Sequence, residues 1–399
     1  MQLTQFSKTG HPPTLLASFL YFDISFMVWV LMGVLGLYIA GDFHLTPGQK
    51  GLVAAIPILG GALVRIPLGI LVDQIGPKKT GVLSQLLVVI PLAGIWLFSS
   101  DFQAILVFGF LLGIAGGSFA VALPLASRCY PPQHQGTALG IVGAGNSGTV
   151  LASLLAPRLA EWVGWRNVFG LALIPVSLVL ILFIFLAKET NSGGKTAPKN
   201  LTHYFTLLKN SDPLWFCLFY SFTFGGFVGL ASFLGIFFHD QYGLSNVQAG
   251  YLTAFSVFAG SFCRPLGGYL ADRFGGISVL SYSFSLIAIL MLAIGFLPPL
   301  SVTVLLLFFA TASFGMGNGA VFQLVPLRFG RDIGVMTGII GAAGGIGGFF
   351  LPLLLGFSKQ LIGSYGIGFI FFACVGLWLL TVLNVLGREW KLSWLTEND

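Results

Sequence analysis

Charge is scarce in this chain. Only 8% of its 399 residues are Asp, Glu, Lys or Arg, against about a quarter in an ordinary soluble domain, and so few charges cannot cover a water-exposed surface. Cysteine is scarcer still. Cys129, Cys217, Cys263 and Cys374 stand far apart with no C-x-x-C spacing, which argues against a disulfide framework and against a thiolate metal site. The histidines His11, His44, His134, His203 and His239 fall in loop or linker sequence and do not cluster, and no Ser/His/Asp constellation accompanies them. No metal, no bound cofactor and no enzyme chemistry is therefore expected. The formal net charge is +6, yet the basic residues are not gathered on a soluble face, so nucleic acid is not expected as a partner.

What fills the chain instead is apolar: 56% hydrophobic residues, with 54 Gly and 39 Phe. Apolar runs of about 20 residues recur from end to end, long enough to cross a hydrocarbon core of roughly 30 Å as helices. A transmembrane barrel would alternate apolar and polar residues in segments of about ten, and no such alternation is visible. The expected fold class is an all-α polytopic membrane protein, with lipid as its surroundings. Spans are placed near residues 14–41, 49–73, 80–100, 102–127, 137–160 and 165–187, then 213–239, 245–271, 277–298, 301–327, 333–358 and 364–387, about twelve in all. The first span is too long for the apolar core of a signal peptide and is expected to be retained.

Between the two sets lies the long polar stretch KETNSGGKTAPKNLTHYFTLLKNSD, whose Gly, Ser, Asn and Lys content reads as a linker. The expected organisation is a six-helix bundle over 1–190, a linker over 191–210 and a second six-helix bundle over 211–399. An even number of spans puts both termini on one side. Lys50, Arg158, Arg166 and Lys359 fall in loops of the opposite side, while Lys8, Lys78, Lys79, Arg128, Lys188, the linker lysines and the basic residues near the C-terminus fall on the termini's side. The excess of Lys and Arg makes that side cytoplasmic, and the protein a resident of the cytoplasmic membrane.

Two basic residues belong to neither side. Arg65 lies eight residues before Asp73, a helical rise of about 12 Å, which places it near the middle of the bilayer, and Arg264 is its partner in a repeat. RIPLGILVDQIG and RPLGGYLADRFG share R-x3-G-x3-D-x2-G through Arg65, Gly69, Asp73 and Gly76 and through Arg264, Gly268, Asp272 and Gly275. The first copy continues to Lys78 and reads as a tight turn at a helix end. A second pair, GTALGIVGAGNSG and GVMTGIIGAAGGIGG, repeats at nearly the same offset through Gly140 and Gly143 against Gly338 and Gly341. Such glycines serve close helix packing and also let a small ligand touch backbone. Two motifs repeating in register make the halves structural copies, the organisation of carriers that rock two bundles about a midplane site.

A mid-membrane arginine costs about 2.5 to 3.5 kcal/mol on translocon scales, so each of the pair needs a partner. Asp23 is the clearest buried carboxylate, and one acid cannot neutralise two arginines on opposite halves. A substrate anion is the simplest partner, with lipid headgroups or backbone carbonyls as the alternative. Guanidinium keeps its proton and matches planar oxyanions with paired hydrogen bonds. With no further cation beside the pair, a small planar monoanion fits best.

The whole chain resembles the major facilitator superfamily, whose typical cytoplasmic motif matches GILVDQIGPKK, and within it the nitrate/nitrite porter family, whose paired glycine-rich signatures match GTALGIVGAGNSG and GVMTGIIGAAGGIGGFFLP. The resemblance implies a major facilitator fold of two pseudo-symmetric six-helix bundles, acting as a monomer on nitrate and nitrite. It also implies a substrate site made by Arg65 and Arg264, the aromatics Phe26, Phe119, Tyr220 and Phe224, with Tyr220 as hydroxyl donor, and Asn146, Gly143 and Gly341 of the signatures. Gly69, Asp73, Gly76, Lys78, Gly268, Asp272 and Gly275 would form the gating motif. The second signature carries Gly344 where the first has Asn146, which leaves that half without the signature amide. Asp23 is the candidate for coupling nitrate uptake to protons. Nitrate/nitrite exchange or nitrite export is the alternative, and a non-transporting nitrate sensor a third reading.

Overall fold

The computed structural model describes residues 9–189, 211–329 and 333–396, with residues 132, 133, 136, 137, 333, 334 and 391–396 by backbone alone. The proposed linker at 191–210 and Lys8 lie outside the described residues. Among the described residues twelve long helices follow one another: α1 (Pro12–Val34, continued by Gly36–Phe43), α2 (Pro47–Ile75), α3 (Pro77–Phe98), α4 (Phe102–Leu112, a 3₁₀ segment Gly113–Gly117, then Phe119–Arg128) and α5 (Pro132–Gly143, a 3₁₀ turn Ala144–Ser147, then Gly148–Val163). Then come α6 (Trp165–Leu186), α7 (Ser211–Tyr242), α8 (Asn246–Phe274), α9 (Gly276–Gly295), α10 (Leu300–Phe329), α11 (Ile333–Ile362) and α12 (Gly366–Thr396). Eleven of them are long and apolar enough to cross a membrane. The exception is α8, whose Gln248, Ser256, Ser261, Arg264, Asp272 and Arg273 lower its hydropathy.

Helix ends differ from the sequence reading where polar residues carry a helix past its apolar run. The last helix continues through Arg388 and Glu389 to Thr396, and α5 begins at Pro132, so His134 is helical and not in a loop. His239 likewise sits in the last turn of α7, its Nδ1 2.7 Å from the Leu244 carbonyl. The repeat reaches further than its motifs. Thr46 caps α2 with a reciprocal hydrogen bond to Gln49, and Ser245 caps α8 in the same way with Gln248, each pair satisfying backbone donors that a helix start leaves free. Gly76 and Gly275 end these helices at φ of +88° and +86°, a left-handed conformation that costs glycine nothing. That is why both copies of the motif finish on glycine.

The halves meet along α2 with α11, α5 with α8, and α1 with α7. The repeat exchanges α2 with α8 and α5 with α11, so the first two contacts are copies of each other. Close approach within a half depends on missing side chains. A Cβ on Gly148 would lie 1.9 Å from the Asp23 carbonyl and 2.7 Å from the Met27 amide of α1, backbone that cannot swing aside. Gly148→Ala is therefore expected to lower the thermal midpoint of the purified protein clearly, as overpacking costs about 1 to 3 kcal/mol. Gly140→Ala, in the same signature but facing open space, is expected to leave it unchanged in the same melting assay.

Candidate functional site

Arg65 on α2 and Arg264 on α8 are only 1% and 8% exposed, and among the described residues neither has a carboxylate within ion-pair distance. Backbone and phenol partners hold them instead. Arg65 Nε donates to the Gly116 carbonyl at 3.0 Å, a group presented by the 3₁₀ segment that interrupts α4. Its Nη1 donates to the Gly341 carbonyl of α11, so this arginine reaches across from one half to the other. Arg264 Nη2 donates to Tyr220 Oη at 3.4 Å. One nitrogen of each guanidinium, Nη2 of Arg65 and Nη1 of Arg264, is buried with no partner.

Aromatic rings enclose both cations. The Arg65 guanidinium carbon stands 4.9, 5.4 and 5.7 Å from the ring centres of Phe224, Trp29 and Phe119, and that of Arg264 stands 5.4 and 5.6 Å from Phe119 and Phe322. Phe119 is thus shared between the two arginines. Each ring face offers a buried cation about 0.5 to 2 kcal/mol, which makes two unpaired guanidiniums tolerable in an apolar interior. Tyr220 stacks on Phe224 at 5.1 Å with 9° between planes, and Phe322 meets Tyr220 edge-on at 4.9 Å. Trp29 is fixed by an indole hydrogen bond to the Pro57 carbonyl at 2.7 Å and lies against Gly61 and Gly116, where a Cβ would strike its ring.

A cavity of about 1120 Å³ runs from the arginine pair to one end of the molecule. Of the residues singled out in the sequence, Arg65, Arg264, Phe119, Gly143 and Gly341 line it, and so do Gly69, Asp73, Gly268 and Asp272 along the way out. Phe26, Tyr220, Phe224 and Asn146 do not line it. Phe26 backs the cage, 4.9 Å from Trp29 and 6.3 Å from Phe224 between ring centres. Asp23 is also away from the cavity wall: buried on α1, it accepts a 2.5 Å hydrogen bond from Ser147 of α5. Lys78 lies in a separate shallow depression with His11 and Lys188. Trp29 and Phe322 were not singled out. Trp29 stands one turn beyond Phe26 on α1, a signal that was present. Phe322 had none, because at the repeat offset of 199 it falls opposite Leu123 and not opposite Phe119.

Residues 17–352 match the Major Facilitator Superfamily. The chain is 35% identical over 375 residues to the "Nitrite extrusion protein" of Bacillus subtilis, covering 94% of this chain and 93% of that protein. The chain belongs to the nitrate/nitrite porter family of that superfamily. It is also 32% identical to the "Probable nitrate/nitrite antiporter NarK1" of Thermus thermophilus, covering 93% of this chain and 92% of the other. With the "Probable nitrate transporter NarT" of Staphylococcus epidermidis the identity is 31%, over 91% and 94% of the two chains. Among solved structures, a D-xylose-proton symporter superposes with a TM-score of 0.76 at 17% identity, over 93% of this chain and 96% of that one. The xylose transporter XylE of E. coli, in a partially occluded inward-open conformation, gives 0.73 at 15%, over 92% and 97%. Both show the shared fold.

In this porter the end opposite the cavity mouth is shut by contacts between the halves. Lys50 Nζ of α2 donates to both carboxylate oxygens of Asp240 of α7 at 2.9 and 2.8 Å, and Tyr365 Oη donates to the same carboxylate at 2.9 Å. The Gly48 amide donates to Gln360 of α11 at 2.9 Å, and Arg158 of α5 donates to Tyr251 of α8 at 3.1 Å. Backbones touch there as well. A Cβ on Gly51 would lie 2.5 Å from the Pro352 carbonyl of α11, and one on Gly250 would lie 2.6 Å from the Ser153 carbonyl of α5. At the open end Gly69 and Gly268 of the two motifs face space, with Asp73 3.5 Å from Arg128 of its own half.

Proposed function

We propose that this porter is a secondary active transporter of nitrate and nitrite in the cytoplasmic membrane, acting as a monomer by alternating access. The observation that carries the reading is the pair of buried guanidiniums, one from each copy of the repeat, each with an unpartnered nitrogen and, among the described residues, no carboxylate to neutralise it. Nitrate matches them in charge and planarity, and the relatives' names point to the same ions. The distribution of Lys and Arg supports a cytoplasmic mouth and cytoplasmic termini, and the repeat supports bundles at 1–190 and 211–399 joined by 191–210.

The mechanism follows from charge. Two unit positive charges about 10 Å apart repel by roughly 1.7 kcal/mol at an effective dielectric of 20. An empty carrier resists bringing its halves together around them. A monoanion between them turns the repulsion into attraction on both sides, so the loaded site closes and the halves rock about it. Phe119, which lines the cavity and contacts both cations, closes over the anion's flat face. The glycines of the gating motif let the closing helices approach at the cytoplasmic end.

Uptake coupled to protons assigns the proton to Asp23. Its place off the cavity wall, hydrogen-bonded to Ser147, favours the second reading, exchange of nitrate for nitrite, in which only loaded carriers cross. Counterflow of labelled nitrate into proteoliposomes tests transport itself: accumulation is expected with nitrate or nitrite inside, and none in either case would refute the proposal. Without internal anion, proton-coupled uptake acidifies the lumen as nitrate enters. Asp23→Asn is then expected to stop acidification and leave exchange intact, and acidification that persists in the variant would remove Asp23 from the mechanism.

A further inference from the structure

Four side-chain polar atoms on the two helices packed against α8 are buried and hydrogen-bond to nothing: the amide oxygen and nitrogen of Asn146 on α5 and of Asn318 on α10. The two residues are 0% and 1% exposed. Both are packed against the segment of α8 that bears Arg264. The Asn146 carbonyl accepts from Ser261, one turn before Arg264. Next to Asn318, Gly319 lets α10 lie directly on the Arg264 carbonyl, 2.3 Å from where a Cβ would stand. One turn beyond Asn318, Phe322 stacks on the Arg264 guanidinium. A buried amide left wholly unpaired costs about 1 to 3 kcal/mol per group, and such groups persist where a ligand completes them.

The position of Asn318 also answers a defect in the repeat. Gly344 stands where the first signature has Asn146, and a Cβ there would lie 2.5 Å from the Tyr220 ring. Because Tyr220 fills that space, α11 has no room for an amide. We infer that Asn318 supplies from α10 the amide contact that the C-terminal half lacks on α11, and that it sets the preference for nitrate over nitrite. Nitrate has three oxygens, and the two guanidiniums have one free buried nitrogen each; the Asn318 amide nitrogen is the donor for the third. Nitrite has no third oxygen and gains nothing from it.

This inference rests on the nitrate reading, and its test separates the two. Calorimetric titration of the purified full-length porter with sodium nitrate, sodium nitrite and sodium chloride comes first, and a wild type that binds no nitrate overturns both. Asn318→Leu removes the amide at similar volume and leaves no polar atom unpaired, so its thermal midpoint is expected to be unchanged or higher. Its nitrate affinity is expected to fall about 10- to 30-fold, the loss of one hydrogen bond to a charged ligand, with nitrite affinity changing less than about threefold. Asn318→Ala reads the same ratio by a second route. Unchanged nitrate affinity, or equal losses for the two anions, in whichever variant folds, overturns the role of Asn318.

Discussion

Arg264→Lys is expected to abolish nitrate counterflow, by at least about 100-fold, with the porter still present in the membrane at wild-type amounts. The charge is conserved in this substitution and the geometry is not. Lysine offers a point charge on a flexible stem, without the planar fork that donates to two acceptors at once. In the wild type one nitrogen reaches Tyr220 at 3.4 Å and another is left free for a ligand, and a single ammonium cannot occupy both directions. The flat contacts with Phe119 and Phe322 go with the guanidinium. Each charge-assisted hydrogen bond lost is worth about 1.5 to 3 kcal/mol, and one such loss already accounts for a factor of tenfold or more. Arg65→Lys is expected to be at least as severe, because Arg65 also ties Gly116 of its own half to Gly341 of the other. Counterflow in either variant within about threefold of wild type would show that charge alone suffices and that the paired fork is not the binding element.

The second large effect belongs to the closed end. Gly51→Val would place a branched side chain where a single Cβ already lies 2.5 Å from the Pro352 carbonyl and 3.3 Å from the Gly356 α-carbon. Both are backbone atoms of α11, and neither moves without the helix. The variant is therefore expected to hold the two halves apart at that end and to favour the state whose cavity opens there. Reaction of a cysteine placed at Thr337, which lines the cavity, measures this in a background where Cys129, Cys217, Cys263 and Cys374 are replaced. Its labelling by a membrane-impermeant maleimide from the motif end is expected to fall at least tenfold, and transport with it. Lys50→Met removes the ion pair with Asp240 without adding bulk, and since both partners keep some solvent contact its contribution is about 1 kcal/mol, a shift of only about fivefold. Equal labelling in wild type and Gly51→Val would mean that the seam yields elsewhere and that its glycines do not set the closed state.

Much of this architecture could be read in the chain because membrane spans are written in composition and repeats in spacing. The apolar runs became long helices, eleven of them apolar enough to span a membrane among the described residues, and the arginines at one repeat offset became neighbouring buried cations. The fine structure was less legible for a physical reason. In a soluble helix a polar stripe marks the outer face, whereas lipid and helix core are both apolar, so a phenylalanine that lines the site reads like one that faces lipid. Phe322 was missed on that account, and Phe26 stands behind the cage. The 3₁₀ segments at Gly113–Gly117 and Ala144–Ser147 leave no mark beyond glycines that would equally serve packing. Asn318 is polar enough to stand out in an apolar run, but a lone amide can hydrogen-bond within its own helix; only its burial without a partner sets it apart. The absence of an asparagine at Gly344 looked like a gap in the repeat, and the Tyr220 ring explains it.

A structure of the porter determined in saturating nitrate tests the central claim most directly. A trigonal planar density, one nitrogen with three oxygens, is predicted between the halves, within hydrogen-bond distance of Arg65 Nη2 and Arg264 Nη1 and with one face on Phe119. Nitrate found elsewhere, or both guanidiniums unchanged beside an empty space under conditions where nitrate binds, would contradict it.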